Sequence, residues 1–252
     1  MASICKHLRP LKGCRRRPAE YIFILSAMRS GSTLLQHLVC QQEDMLSAGE
    51  TKIEYHGLED LARLRAHLLE YNDRQADDGT RYRCVEKCVH NGYFPRPLAV
   101  ATPEIRFIFL LRDPVAAVSS LLERKGWPYA ESVESAVWYY NDRFTALVSF
   151  ARLLQRPEDA VYIGYEDFLG GPSRHLRRLS GFLGLDQELT ESYPKQKWTA
   201  RLSLGDVSPN IHSRKIVPNE RKELAEIPRD LEAGLRATHA WAVRSLTRAC
   251  RG

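Results

Sequence analysis

The sequence has no apolar run approaching the roughly 18 residues that cross a bilayer, and its start lacks the apolar core of a secretory signal. Both absences make a cytoplasmic protein with no membrane partner the expectation. Cysteine is scarce, at six residues. Cys5, Cys14, Cys40, Cys84, Cys88 and Cys250 are scattered without a compact framework, which excludes a disulfide-stapled fold and suits reduced thiols. Cys84, Cys88 and His90 lie close together, but without a C-x-x-C pair or a second cluster they do not read as a zinc site; the alternation in "RYRCVEKCVH" predicts instead a strand whose cysteines pack inward. There is no carboxylate cluster to argue for a metal, no internal repeat and no low-complexity linker. One domain over 21–252 is expected, behind a flexible basic leader at 1–20 that contains Arg15, Arg16 and Arg17.

What is present suits a globular protein. Hydrophobic residues make up 44% of the chain, enough for a sizeable core, and the formal charge of +6 favours anionic partners. In "YIFILSAMRSGSTLLQHL" the apolar run at 21–25 suits a strand buried on both faces. Leu34, Leu35 and Leu38 then recur as one face of a helix. A helix start leaves backbone N–H groups without internal partners and carries the positive end of the dipole, so the turn between strand and helix is a natural anion cradle. Gly31 permits close approach of a ligand, Ser30, Ser32 and Thr33 add hydroxyls, and Arg29 adds a fixed cation with a planar donor fork. An ordinary capped strand-to-helix turn would share much of this pattern.

The nucleotide P-loop G-x-x-x-x-G-K-[ST] is not matched: Ser26 stands at its first glycine and Ser32 at its lysine. That weakens a kinase reading.

Further along, the periodicity predicts a short strand near 45–48, a helix carrying Leu58, Leu61, Leu64, Leu68 and Leu69, a strand in "RYRCVEK" and a second buried strand in "EIRFIFLL". A helix should begin directly after it, with Asp113 as N-cap and Pro114 at its first position. A long amphipathic helix in "SVESAVWYYNDRFTALVSFARLL", a strand in "DAVYIGYEDF", a helix ended by Gly184 and a final helix in "DLEAGLRATHAWAVRSLTRAC" complete the pattern. Strands alternating with helices predict an α/β fold, a P-loop-like doubly wound parallel sheet with its site at the strands' C-terminal ends.

Arg112 ends the second buried strand. Ser120 follows about two helical turns later, and Arg124 one turn after that on the same face. The three could grip a second phosphate beside the first, although a surface ion pair with a solvent-facing serine would leave the same trace.

Together "SAMRSGSTLL" and "IRFIFLLRDPVAAVSSLLER" resemble the two signature motifs of sulfotransferases that use 3′-phosphoadenosine 5′-phosphosulfate (PAPS), including bacterial and tyrosylprotein-sulfotransferase-like members. The resemblance runs over about 21–185. It implies that Arg29, Ser30, Gly31, Ser32 and Thr33 hold the 5′-phosphosulfate, and that Arg112, Ser120 and Arg124 hold the 3′-phosphate. "VEKCVH" is similar to the E-K-x-P-x-H segment of bacterial members, with Val89 in place of the proline and His90 one residue early. "YEDFLGGPSRHLRRLSGFLGL" is similar to a later stretch of the same family.

Sulfuryl transfer needs a base for the acceptor hydroxyl and positive charge near the bridging oxygen. The resemblance places the base at Glu50 in "SAGETK", with His90 as its rival, and assigns charge stabilisation to Lys87, assisted by Arg29. "NIHSRKIVPN" resembles a loop that closes over the nucleotide through Lys215, with Ser213 or Arg214 beside it; a solvated basic loop reads equally well. Trp138 and Tyr139 could stack on adenine or line the acceptor pocket, while aromatics at this spacing also suit a core. The expected function is PAPS-dependent transfer to an alcohol or phenol, a small molecule or a tyrosine-like group, releasing adenosine 3′,5′-bisphosphate without a metal. The alternatives are a P-loop-like kinase and a non-catalytic basic module for nucleotides or nucleic acid. No nucleic-acid-binding motif supports the last.

Overall fold

The computed structural model describes residues 20–76, 79–95, 98, 104–124, 126–199, 209–217 and 224–252, so the basic leader lies outside the described residues but for Glu20. Five strands form the sheet: β1 (Tyr21–Ser26), β2 (Met45–Leu46), β3 (Arg83–Cys88), β4 (Ile105–Leu111) and β5 (Ala160–Gly164). Their order is β2-β3-β1-β4-β5 and every pairing is parallel. The helices are α1 (Ser32–Val39), α2 (Glu59–Tyr71), α3 (Pro114–Leu122), α4 (Val133–Leu153), α5 (Tyr165–Gly170), α6 (Pro172–Leu183), α7 (Pro209–His212) and α8 (Arg229–Ala249).

The unbroken apolar run of β1 follows from its central place. Phe23 and Leu25 enter one core with Phe107 and Phe109 of β4, Phe144, Leu147 and Phe150 of α4, and Leu235 and Leu246 of α8. Ile22 and Ile24 enter the other with Leu35 and Leu38 of α1 and Leu176, Leu179 and Phe182 of α6. A strand covered on both faces cannot alternate with polar residues. Among the described residues no helix is long and apolar enough to cross a membrane.

Register positions the site. Leu25 of β1 stands opposite Cys88 of β3 on one side and Phe109 of β4 on the other. The segments that leave these strands, including residues 27–31, His90 and Arg112, therefore emerge along one edge of the sheet, where its strand order reverses about β1.

Helix starts match their sequence signals. The Asp113 carboxylate accepts from the Ala116 N–H at 2.9 Å with Pro114 at the first position of α3, and Ser132 and Ser135 form a capping box on α4. Gly184, at φ +66°, ends α6 as expected. Two expectations are corrected. The predicted strand through "YEDF" stops at Gly164 and Tyr165 opens α5, because pairing with β4 ends at Leu111 and Glu166 and Asp167 suit a helix's positive first turn. Arg124 does not continue the face of Ser120: α3 ends at Leu122, and the Arg124 N–H turns back to the Leu121 carbonyl at 2.9 Å.

Candidate active site

The turn after β1 holds an unusual backbone. Arg29 has φ +60° and Gly31 φ +86°, both left-handed. For arginine that conformation costs about 1–2 kcal/mol, so its surroundings must impose it. The Met28 N–H donates to the Tyr139 hydroxyl at 2.8 Å, and the Tyr140 hydroxyl donates to the Met28 carbonyl at 2.6 Å. The Arg112 guanidinium donates to the Arg29 carbonyl at 2.9 Å. Gly31 is required twice over, by its φ and because a Cβ there would lie 2.2 Å from the Tyr165 ring. Gly31→Ala is expected to lower stability by about 1–3 kcal/mol, read by urea unfolding, and to weaken at least tenfold whatever anion this turn holds.

The two expected anion motifs meet. Arg29 Nε donates to Ser120 Oγ at 3.0 Å while Arg112, stacked 5.1 Å over the Tyr165 ring, grips the Arg29 backbone. Ser30 Oγ and Arg112 Nε are buried without a hydrogen-bond partner. Buried polar atoms are rarely left so, and here a hydroxyl and a guanidinium N–H, both able to donate, stand ready at a cationic turn. Ser32 and Thr33 are buried at the start of α1, and Arg124 is half-buried in the turn beyond α3.

A second group lies beside the first. Lys87, near the end of β3 and only 3% exposed, donates to Thr33 Oγ1 at 3.0 Å and pairs with Glu50 Oε1 at 2.9 Å. The lysine thus joins the first anion motif to the expected base. His90 sits in extended backbone beyond β3, half-buried, with its ring 6.2 Å from that of Tyr129. Burial lowers its pKa, opposed by the Glu50 charge, so the imidazole is neutral at pH 7. Lys215 stands apart: it forms an antiparallel bridge with Ser192, is exposed, and its ammonium makes no ion pair or hydrogen bond among the described residues. Ser213 Oγ and the Arg214 carbonyl are spent within the same bridge region.

A cationic turn, a buried lysine and a carboxylate at the C-terminal edge of a parallel sheet describe an anion site without naming its chemistry. Residues 59–189, just over half of the chain, match the sulfotransferase family model. The chain belongs to the sulfotransferase family. The matched region contains Lys87, His90, Arg112, Ser120 and Arg124; Arg29 to Thr33 and Glu50 precede it. No curated protein matches the chain.

Solved structures of similar fold include the sulfotransferase domain of the Synechococcus PCC 7002 olefin synthase, at TM-score 0.57 and 17% identity over 91% of this chain and 97% of that one. The sulfotransferase domain of the curacin biosynthetic pathway gives 0.55 and 18% over 89% and 98%, and a mouse sulfotransferase complexed with PAP 0.55 and 14% over 89% and 85%. At these identities the likeness is one of fold.

Two residues that matter to the site of this sulfotransferase, Arg143 and Tyr140, escape the sequence reading, and Tyr139, read there as a stacking or core aromatic, has a further part. Arg143 of α4 is fully buried; Nε donates to the Ser26 carbonyl at 2.8 Å, Nη1 to Asn91 Oδ1 at 2.7 Å and Nη2 to the Cys88 carbonyl at 2.5 Å. Tyr139 and Tyr140 hold Met28, and Tyr139 also donates to the Val89 carbonyl at 2.8 Å. Tyr139 is therefore a buried brace, while its neighbour Trp138 is 62% exposed. The available signal was a basic residue inside an apolar helical stripe, a placement that is rare unless the charge is satisfied.

Proposed function

We propose that this sulfotransferase uses PAPS as its donor and transfers the sulfuryl group to a hydroxyl of a small alcohol or phenol, releasing adenosine 3′,5′-bisphosphate. The reading is carried by one observation, the direct joining of the two anion motifs through Arg29 to Ser120 and Arg112 to Arg29. A single phosphate would not need both; a donor with an anionic group at each end of its ribose would. The partnerless Ser30 hydroxyl and Arg112 Nε supply the fit.

In this reading Arg29, Gly31, Ser30, Ser32 and Thr33 take the 5′ end, and Arg112, Ser120 and Arg124 the 3′ end. Glu50 takes the acceptor proton as the acceptor oxygen bonds to sulfur, and Lys87 meets the charge that develops on the oxygen of the breaking bond. The missing P-loop lysine and the Ser120 site speak against a kinase, which would need the first and not the second.

Calorimetric titration with adenosine 3′,5′-bisphosphate, with AMP and ATP as controls, tests the donor. Binding is expected to favour the 3′-phosphate and to weaken about 10- to 100-fold in Arg112→Ala, the worth of one or two charge-assisted hydrogen bonds. Binding no tighter than AMP would remove PAPS from the reading.

A further inference from the structure

The loop that carries Glu50 runs over the end of β3, and consecutive residues of that strand hold consecutive residues of the loop. Side chains of a strand alternate between faces. Lys87 projects to the side of α1, where it meets Thr33, and pairs with Glu50. Glu86 projects to the opposite side, with Cys84 and Cys88, whose core also contains Tyr55. There its Oε1 accepts from the Thr51 N–H at 3.1 Å. From α1 the buried Gln36 side chain donates to the Gly49 carbonyl at 2.8 Å and to Ser47 Oγ at 2.7 Å. Residues 49, 50 and 51 are thus each held by a different buried side chain, and Glu50 is the middle one.

Glu86 is 2% exposed, and its second oxygen has no hydrogen-bond partner. A carboxyl in such a place costs stability, and burial, only partly opposed by the Thr51 hydrogen bond, pushes its pKa up to about 8. An apolar residue would pack the same volume without that cost. The acceptor it offers to Thr51 is what the carboxyl adds.

We propose that Glu86 is a positioning residue for Glu50: by fixing the Thr51 N–H on one face of β3 while Lys87 holds the Glu50 carboxylate on the other, it sets where the base stands. The proposal rests on Glu50 being the base. Because the hold needs only an acceptor oxygen, glutamine serves in place of the acid. An apolar residue of similar volume lets the loop shift and leaves the nucleotide cradle in place, since among the described residues the hydrogen bond given for Glu86 runs to Thr51 and not to that cradle.

The test uses the full chain, with PAPS as donor and 2-naphthol as acceptor probe. It compares wild type with Glu86→Met, Glu86→Gln and Glu50→Gln in kcat, in affinity for adenosine 3′,5′-bisphosphate and in hydrogen exchange at the Thr51 amide. Glu86→Met, which removes a buried carboxyl, is the variant chosen to fold. The expected result is a 10- to 100-fold fall in kcat for Glu86→Met with nucleotide affinity within about threefold, Thr51 exchange at least tenfold faster, and near wild-type values for both in Glu86→Gln. Wild-type kcat or unchanged Thr51 exchange in Glu86→Met, with Glu50→Gln impaired, overturns the role of Glu86 and leaves Glu50 as base. Full activity in Glu50→Gln removes the base assignment and this proposal with it.

Discussion

Lys87→Ala is expected to lower the rate of sulfuryl transfer by about 10²–10³-fold while changing affinity for adenosine 3′,5′-bisphosphate by less than about tenfold. The asymmetry follows from what the ammonium touches. It lies 3.0 Å from Thr33 Oγ1 and 2.9 Å from Glu50 Oε1, between the cradle and the base, whereas Arg29, Arg112 and Ser120 hold one another without it. Removing it deletes the cation that the proposed reading puts at the breaking bond and leaves the Glu50 carboxylate, in a largely enclosed site, without its partner. Both losses fall on the transition state more than on the bound nucleotide.

Glu50→Gln and Lys87→Ala should for the same reason be strongly non-additive in a double-mutant cycle. A Lys87→Ala enzyme with kcat within threefold of wild type would refute the assignment. His90→Ala sorts the two candidate bases. If it silences turnover while Glu50→Gln does not, the proton passes to the neutral imidazole rather than to the carboxylate.

Lys87 is singled out by the resemblance alone, since Arg83 and Glu86 of the same strand are charged as well and "RCVEKC" does not mark one of them. Arg112 after "IRFIFLL" and the helix that Asp113 and Pro114 announce could be read from the residues themselves. Spacing within an element is written in the chain: once a helix starts at Pro114, Ser120 stands nearly two turns into it whatever the tertiary structure. The reading failed where that condition lapsed. Arg124 left the helical face of Ser120 because α3 ends at Leu122, and "YEDF" left the strand because β5 runs out of pairing partner at Gly164.

Contacts between elements were illegible for a different reason. Glu86 alternates with Lys87 and looks like part of the same charged pair, until β3 is known to lie next to β1 with the 49–51 loop astride it. The meeting of Arg29 with Ser120 depends on β4 being the other neighbour of β1. Strand order is a property of the packed sheet, and a local pattern does not carry it.

Arg143 is the extreme case, and its replacement should show the largest effect on folding. Its guanidinium ties the Ser26 carbonyl, 117 positions away, to the Cys88 carbonyl and to Asn91, with the Phe94 ring 4.6 Å from its charge. Asn91 in turn donates to the Asp142 carboxylate, so the buried charge is relayed towards an anion. Carbonyls at the ends of adjacent strands have no further strand to pair with, and a buried one must find a donor. A planar fork meets three acceptors at once; an ammonium on a flexible stem does not.

Arg143→Met keeps the volume, removes every donor and is expected to cost about 3–5 kcal/mol in urea unfolding, since it strands buried acceptors rather than merely deleting contacts. Arg143→Lys should recover less than half of that. Because Ser26 begins the turn that carries Arg29 and Cys88 adjoins Lys87, the folded fraction of Arg143→Met should also lose nucleotide affinity, by about tenfold or more. A change in stability below about 1 kcal/mol would mean that the strand ends are held by the sheet itself, and that the arginine only fills the space beneath them.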